Sequence, residues 1–168
     1  MVILDLQPQN LDSFYNCFSE LMLEGYGQFP EKLSSYFLSH DYTKENFRIW
    51  LERYFRKVLL AINDQNEVVG FLIGDHTYGG VGFISWFGIK KPYRKQGIGK
   101  QLFNLYQAYI LGRKAHLIEL YTYDGAKGFY ERLGFQVVGK REQGFFGQKN
   151  LIMNKKIGDW QLSNLSTL

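Results

Sequence analysis

Hydrophobic residues follow helical spacing in the first third of the chain and form short continuous runs in most of the rest. The stretch VILDL at residues 2–6 is short and apolar, which indicates a strand. Residues 10–25 show a one-faced helical pattern, with apolar positions at Leu11, Phe14, Phe18, Leu21 and Met22. Thr43 is expected to cap a second helix, whose apolar face consists of Phe47, Trp50, Leu51, Tyr54 and Phe55.

Apolar runs and one long helical pattern alternate through the middle of the chain. VLLAI and EVVGFLIGD flank the turn-rich NDQN, which predicts a β-hairpin, and VGFISWFGI predicts another strand. Gly97 precedes a predicted helix that Gly112 caps. The apolar positions of that helix are Ile98, Leu102, Leu105 and Tyr109. HLIELYTY is nearly continuous in apolar and aromatic residues, so we expect a strand buried on both faces.

The last third of the chain completes the predicted fold. A short helix that ends at Gly134 is marked by Ala126, Phe129, Tyr130 and Leu133, and FQVVGK and KNLIMNKKI predict two closing strands. A strand, a crossover helix and a second strand imply a parallel pair, whereas the hairpins imply antiparallel pairs. The sequence therefore predicts an α/β fold with a mixed, mostly antiparallel sheet, a central parallel strand pair and about four flanking helices.

Length and composition indicate one domain, residues 1–168, that needs no covalent or metal staple. Cys17 is the lone cysteine, so no internal disulfide is possible and no metal-ligand spacing is present. The N-terminus has no basic region of a signal peptide. No apolar run reaches the roughly 18 residues of a membrane span. We therefore expect a cytoplasmic protein with no metal and no membrane partner.

Charge is distributed unevenly, although the formal net charge is only +4. Five basic residues and no acid lie between positions 90 and 100: Lys90, Lys91, Arg94, Lys95 and Lys100. Positions 12–45 contain six acidic and only two basic residues. The acids are Asp12, Glu20, Glu24, Glu31, Asp41 and Glu45, and the bases are Lys32 and Lys44. The basic cluster is compact and coincides with a glycine-containing loop, so we expect no nucleic-acid partner.

The stretch RKQGIGKQLF at residues 94–103 places two glycines at the start of the predicted helix. A helix N-terminus leaves its first N–H groups unpaired and carries partial positive charge, so it binds phosphate well. Glycine lets the backbone approach a phosphate without an intervening Cβ. Gln101 and Leu102 exclude the triphosphate loop and the dinucleotide fingerprint, respectively. The pattern present is R-x-x-G-x-G at Arg94, Gly97 and Gly99.

This pattern resembles the pyrophosphate loop of the GNAT superfamily of N-acetyltransferases, which reads [QR]-x-x-G-x-[GA]. IKKPYRKQGIGKQLF also matches the strand end, proline and aromatic before that loop, although Pro92 lies one place later than usual. AKGFYERLGF matches the family signature A-x-x-x-Y-x-x-x-G-F at Ala126, Tyr130, Gly134 and Phe135. The resemblance covers nearly the whole chain, and its specific motifs lie within residues 81–135.

The resemblance implies that acetyl-CoA is the co-substrate and that an amine attacks it directly in a ternary complex. It assigns the pyrophosphate to the loop residues Arg94, Lys95, Gln96, Gly97, Ile98, Gly99 and Lys100, and the pantetheine arm to the backbone of Phe87, Gly88 and Ile89. Tyr123 stands where many members have a cofactor-contacting Asn, so that contact is replaced or lost. Tyr130 becomes a cofactor contact and the general acid for the departing thiolate, with a core tyrosine as the alternative.

The general base stays open at this point. Some family members use a Glu on the strand before the loop, and VGFISWFGI contains no acid. Asp75, His76, Glu119 and Asp124 are candidates, and a water chain or direct loss of the proton to solvent is equally compatible with the sequence. His40 and His116 are interpreted as surface or structural residues, and Cys17 as a packed side chain.

The acceptor is expected to be a primary amine, either small or on a peptide. The acidic stretch from Asp12 to Glu45 is interleaved with Phe14, Tyr15, Phe18, Tyr26, Phe29, Tyr36, Phe37 and Tyr42. Such a surface favours a cationic amine, such as a polyamine, an aminoglycoside or a basic peptide, and a solvated helix face is the alternative. A longer acyl-CoA, a non-catalytic acyl-CoA-binding module and a homodimer also remain open.

Overall fold

The computed structural model describes residues 1–24, 29–53, 56–76 and 78–162. Its strands are β1 (Val2–Asp5), β2 (Lys57–Ile62), β3 (Val68–His76), β4 (Val81–Ile89), β5 (Leu117–Thr122), β6 (Gln136–Arg141) and β7 (Asn150–Lys156). Its helices are α1 (Leu11–Leu23), α2 (Glu31–Tyr36), α3 (Lys44–Arg53), α4 (Ile98–Gly112) and α5 (Asp124–Arg132). The predicted aromatic positions Tyr26, Tyr54 and Phe55 lie outside the described residues.

The strands form one sheet in the order β1-β2-β3-β4-β5-β7-β6. β4 and β5 are parallel, with register pairs from Val81↔Leu117 to Ile84↔Leu120. β1 with β2, β5 with β7, and β6 with β7 are antiparallel. The predicted mixed sheet is therefore confirmed, and its parallel pair consists of β4 and β5, the two strands that α4 connects.

The chain falls into two compact units. The first contains Met1–Ile73 and Trp86–Phe103, and the second contains Gly74–Ser85 with the described residues from Asn104 onward. One domain over residues 1–168 stays a prediction.

Aromatic rings fill the core of the first unit. Phe14, Phe18, Phe47 and Phe71 are all buried, and their closest ring pairs meet edge to face at 4.9–5.0 Å between centroids. The apolar face of α1 is the predicted one. The Thr43 hydroxyl accepts a hydrogen bond from the amide of Asn46 at 3.1 Å, so Thr43 caps α3 as predicted.

Helix α2 and the wide turn Phe37–Asp41 that follows it were not predicted. The hydrophobic pattern predicts two helices before β2, whereas the described residues there form three. Helix α2 is only six residues long and buries Ser34 rather than an apolar stripe, so it lacks the periodic signal on which the prediction relied.

One burial prediction is wrong, that for β5, and the buried face of α4 differs from the apolar positions marked in the sequence. In α4 the buried residues are Ile98, Leu102, Phe103, Tyr106 and Ile110, whereas Leu105 is 48% exposed and Tyr109 is half-buried. The buried residues Ile98, Leu102, Tyr106 and Ile110 follow one another at steps of four residues. The three-residue step from Leu102 to Leu105 therefore leads off the buried face of the helix. In β5 only alternate residues are buried (Ile118, Leu120 and Thr122), so the strand has one covered face rather than two.

The predicted C-cap of α4 is also corrected. Gly112 is the last helical residue, and the left-handed residue that follows the helix is Lys114, with φ +63°. The amide of Ala115 then donates to the carbonyl of Ile110 at 3.1 Å, which closes the helix end.

Tyr106 packs its ring against glycine backbone in the second unit. Its buried hydroxyl is shared between the carbonyl oxygens of Asp75 at 2.8 Å and Phe83 at 3.0 Å. A Cβ on Gly74 would overlap this ring, lying 2.5 Å from Cζ and 2.8 Å from the hydroxyl oxygen. Gly74 is therefore required by packing against Tyr106.

We expect Gly74→Ala to lower the free energy of unfolding by about 1–3 kcal/mol, because the added methyl overpacks the buried ring. Gly112→Ala is the matched control, because no heavy atom lies within 4 Å of a Cβ there. It should leave stability unchanged or raise it by up to about 1 kcal/mol. Urea unfolding of both variants measures the difference, and equal stabilities would contradict this role for Gly74.

Candidate active site

The loop between β4 and α4 adopts a backbone that favours glycine. Gly97 has φ +81°, and Lys95 has φ +62° although it is not a glycine. A Cβ built on Gly97 would meet no heavy atom within 4 Å, so its conformation rather than crowding requires glycine. The first helical bond runs from the amide of Gln101 to the carbonyl of Gly97 at 3.1 Å. The amides of residues 98–100 precede it and form the N-terminal end of α4.

Two side chains of the loop hydrogen-bond to backbone carbonyls that precede it, one of them at the end of β4. Arg94 Nε donates to the carbonyl of Ile89 at 2.8 Å, and Gln96 Nε2 donates to the carbonyl of Pro92 at 2.9 Å. Lys95 and Lys100 are exposed. The arrangement is therefore an open helix N-terminus with positive charge around it, which suits a phosphate group.

The end of β4 extends past its pairing with β5. Phe87, Gly88 and Ile89 follow the last register pair, Ile84↔Leu120. Gly70 lies beside them, and a Cβ on it would overlap Ile89 Cδ1 and stand 3.1 Å from the Gly88 carbonyl oxygen. This stretch is the segment expected to meet the pantetheine arm, and its Ile89 carbonyl already accepts the bond from Arg94.

Tyr130 lies on α5 in the second unit and is 9% exposed. Its ring packs edge to face against Phe129 and Phe135, at 5.1 Å and 5.8 Å between centroids. Burial, and secondarily the neighbouring Tyr123, raise the pKa of Tyr130 above that of an ordinary tyrosine. The phenol therefore keeps its proton at neutral pH and is a hydrogen-bond donor.

Tyr123 directly precedes α5. Its carbonyl accepts the amides of Ala126 at 3.0 Å and Lys127 at 3.2 Å, which starts the helix. A Cβ on Gly125 would lie 2.7 Å from Tyr123 Cε2, so the ring rests on the first turn of α5. Tyr123 thus fills space beside the signature helix at the position where many GNAT members carry Asn.

Comparison with known proteins decides the family. Residues 16–135 match the model of the Acetyltransferase (GNAT) family. The chain belongs to this family. YjaB, a peptidyl-lysine N-acetyltransferase of Salmonella typhimurium (strain LT2), is 30% identical over 124 residues, which cover 69% of this chain and 79% of that protein.

Two solved structures illustrate the shared fold. PaiA N-acetyltransferase of Thermoplasma acidophilum, in complex with coenzyme A, is 21% identical with a TM-score of 0.75 over 93% of this chain and 99% of that chain. The ribosomal-protein-alanine N-acetyltransferase of Brucella melitensis is 20% identical with a TM-score of 0.74 over 94% of this chain and 100% of that chain.

As a GNAT member, the chain is an N-acetyltransferase with acetyl-CoA as its acetyl donor. The residues present fit that donor, because Gly97 leaves open space beside the N-terminal amides of α4 and the adjacent lysines are exposed. Among the residues that the structure describes, no cluster of His, Cys, Asp and Glu could hold a metal ion. None of the described helices has the length and apolarity needed to cross a membrane.

The candidate bases of this GNAT enzyme occupy different surroundings. Glu119 is half-buried on β5, in register with Phe83 of β4 and Asn154 of β7. Asp124 is exposed in the first turn of α5, and Asp75 lies near the end of β3. The side chain of His76 lies outside the described part of the chain. Glu119 is the carboxylate that shares the half-exposed face of β5 with Tyr121.

The remaining singled-out residues have structural surroundings. Cys17 is fully buried, and burial raises the pKa of its thiol to about 12, so it carries no nucleophilic thiolate at neutral pH. His40 stacks on Tyr36 at 4.5 Å between ring centroids. His116 packs on Trp160 at 5.4 Å. These contacts agree with the packed and structural interpretations made from sequence.

Most acids of the first unit are paired with basic residues. Four of the six acids between Asp12 and Glu45 form ion pairs, namely Glu20–Lys90 at 2.5 Å, Glu24–Lys91 at 3.5 Å, Glu45–Arg48 at 2.7 Å, and Asp12–Lys44. The interleaved rings of Phe14, Phe18 and Phe37 are buried, and Tyr15, Phe29 and Tyr42 pack against the same core. The predicted acidic, aromatic cleft is therefore largely a neutralised surface over an aromatic core.

Proposed function

We propose that the chain acetylates a primary amine on a peptide or protein, such as a lysine side chain, by direct attack of the amine on acetyl-CoA in a ternary complex. The observation that carries this proposal is the 30% identity with a peptidyl-lysine N-acetyltransferase over 69% of the chain. A small cationic amine is the second candidate. It has less support, because four of the six acids that favoured it are ion-paired.

The loop residues are proposed to hold the pyrophosphate through backbone N–H groups. Gly97 and Gly99 allow close approach of the backbone, and the amides of residues 98–100 point their partial positive charge toward the phosphates. Lys95 and Lys100 add formal charge. Arg94 is proposed to hold the loop against the end of β4, because its Nε donates a hydrogen bond to the Ile89 carbonyl. The backbone of Phe87, Gly88 and Ile89 is proposed to align the pantetheine arm.

Tyr130 is proposed to act as the general acid. Its raised pKa keeps the hydroxyl protonated, so it can donate to the departing sulfur as negative charge develops there. The proton that the amine loses then restores the phenol. Tyr123 supports the position of Tyr130 by packing at the start of α5. A base is needed only to deliver the amine in its neutral form, and Glu119 is the proposed residue because of its half-exposed position on β5.

The test is release of coenzyme A thiol from acetyl-CoA against a matched panel of amines. A lysine peptide, the same peptide with lysine replaced by norleucine, spermidine and an aminoglycoside form the panel. We expect the highest kcat/KM with the lysine peptide and no release with the norleucine peptide. Higher kcat/KM with spermidine or the aminoglycoside would favour the small cationic acceptor. The homodimer and the cytoplasmic location stay predictions.

A further inference from the structure

The tip of the β6–β7 hairpin, residues 144–148, displays two exposed phenylalanines. Phe145 is 58% exposed and Phe146 is 56% exposed. Three backbone hydrogen bonds close the tip: Gly144 N–H to the Gln148 carbonyl at 2.9 Å, Gly147 N–H to the Gly144 carbonyl at 3.1 Å, and Gln148 N–H to the Phe145 carbonyl at 3.0 Å. Large apolar side chains are therefore presented to solvent on an internally bonded turn.

The backbone of the tip is strained at Phe146. Phe146 has φ +54°, a left-handed conformation that is rare for a bulky residue and costs conformational energy. A Cβ on Gly144 would overlap the side-chain amide of Asn150 and stand 2.9 Å from the Gln148 carbonyl oxygen. Strain of this kind concentrates at sites that contact ligands.

A guanidinium group lies over the aromatic rings at the base of the tip. Arg141 Cζ is 4.9 Å from the centroid of the Tyr121 ring and 5.8 Å from that of Phe145, and these two rings are 5.5 Å apart. Contact with the two rings restrains the guanidinium, whose planar fork of N–H donors matches the geometry of a carboxylate.

The charges around Arg141 make it the cation available to an anionic ligand. Glu142 pairs with Lys140 at 3.0 Å and with Lys149 at 3.6 Å. Among the described residues, no carboxylate forms an ion pair with Arg141. The hairpin therefore offers a guanidinium in contact with the Tyr121 and Phe145 rings, next to the exposed Phe146, in an excess of positive charge.

We propose that this surface, formed by Tyr121, Arg141, Phe145 and Phe146, recognises an acidic peptide. A carboxylate of the peptide binds the Arg141 guanidinium, and an adjacent apolar side chain packs on the two phenylalanines. The proposal rests on the proposed function, because it makes the peptide the acceptor. Tyr121 lies on β5, two residues before Tyr123, which directly precedes α5. The surface therefore adjoins the end of β5 from which the chain continues into α5, the helix of Tyr130.

The experiment compares two lysine peptides that differ only by Asp against Asn, two residues from the lysine, with a leucine beside the varied position. For the unsubstituted protein we expect the Asp peptide to have about tenfold higher kcat/KM at low salt, mostly through KM, because a charge-assisted bidentate pair is lost with Asn. Arg141→Gln should reduce this ratio to near one. Lys140→Gln removes the same charge from the same strand and should leave the ratio unchanged.

A binding measurement separates the two possible failures. Norleucine versions of both peptides cannot be acetylated, and their affinities are measured by fluorescence anisotropy. If the Asp version binds more tightly than the Asn version through Arg141 but no lysine peptide is acetylated, the peptide acceptor is wrong and the recognition surface stands. The inference would be overturned if the Asp and Asn peptides had equal affinities and equal kcat/KM. It would also be overturned if Lys140→Gln and Arg141→Gln reduced the Asp-to-Asn ratio of kcat/KM equally. A third contrary result would be an oligonucleotide or anionic vesicles that bind more tightly than the Asp peptide and lose that binding in Arg141→Gln.

Discussion

Tyr130→Phe is expected to lower kcat by about 100-fold or more, the usual scale of general acid catalysis. The variant keeps the ring that packs against Phe129 and Phe135 and removes only the hydroxyl, so the melting temperature and the affinity for acetyl-CoA should change little. Because burial raises the pKa of Tyr130, loss of its proton should not limit kcat below about pH 10, the ordinary tyrosine value.

The measurement is single-turnover acetylation under saturating acetyl-CoA, which reports the chemical step rather than product release. Tyr78→Phe is the matched control, because it removes a hydroxyl from a side chain that is 98% exposed. Its rate should equal that of the unsubstituted protein. A near-normal single-turnover rate for Tyr130→Phe would make Tyr130 a core residue instead of the general acid.

Gly97→Asp is expected to abolish the stabilisation that acetyl-CoA confers. At 100 times its Kd a ligand adds about 2.7 kcal/mol to folding, which for a chain of this size is a shift of roughly 5–10 °C in Tm. The Asp carboxylate would enter the open space beside the first amides of α4 and repel the phosphates. Calorimetry with and without acetyl-CoA measures the shift.

Gly79→Asp is the matched control for this change. Gly79 also has a left-handed backbone, with φ +72°, and no heavy atom within 4 Å of a Cβ. Both variants therefore carry the same conformational cost without a clash, and only Gly97 lies in the loop. We expect Gly79→Asp to keep the full shift with acetyl-CoA. Equal Tm shifts with acetyl-CoA in both variants would show that the loop does not bind the phosphates.

Local signals predicted most of the elements because each of those signals lies within one segment. The spacing of apolar residues in α1, the Thr43 cap and the NDQN turn each depend on neighbours in sequence, and the structure has them where expected. Helix α2 was missed because it is short and has no apolar stripe. The burial of β5 on both faces was wrongly predicted, because burial depends on what packs against each face, which periodicity alone does not specify.

The candidate site divides in the same way. The R-x-x-G-x-G loop and the signature around Tyr130 are contiguous in sequence, so both could be found without a structure. Arg141 over Tyr121 and Phe145 could not be found, because it joins three separate segments through ring contacts. The glycines and aromatic pair of GFFG were visible, and nothing in their spacing distinguished an exposed tip from a core segment.

The sequence by itself determined the order of the strands and main helices, the glycine loop at the start of α4 and the family to which these belong, because each is encoded in residues close together along the chain. Only the tertiary structure decided what the charges and rings do. Lys90 and Lys91 neutralise Glu20 and Glu24, which lie some seventy residues earlier in sequence. Electrostatic energy depends on distance in space, so an acidic stretch that favoured a cationic acceptor became a set of ion pairs once the chain folded.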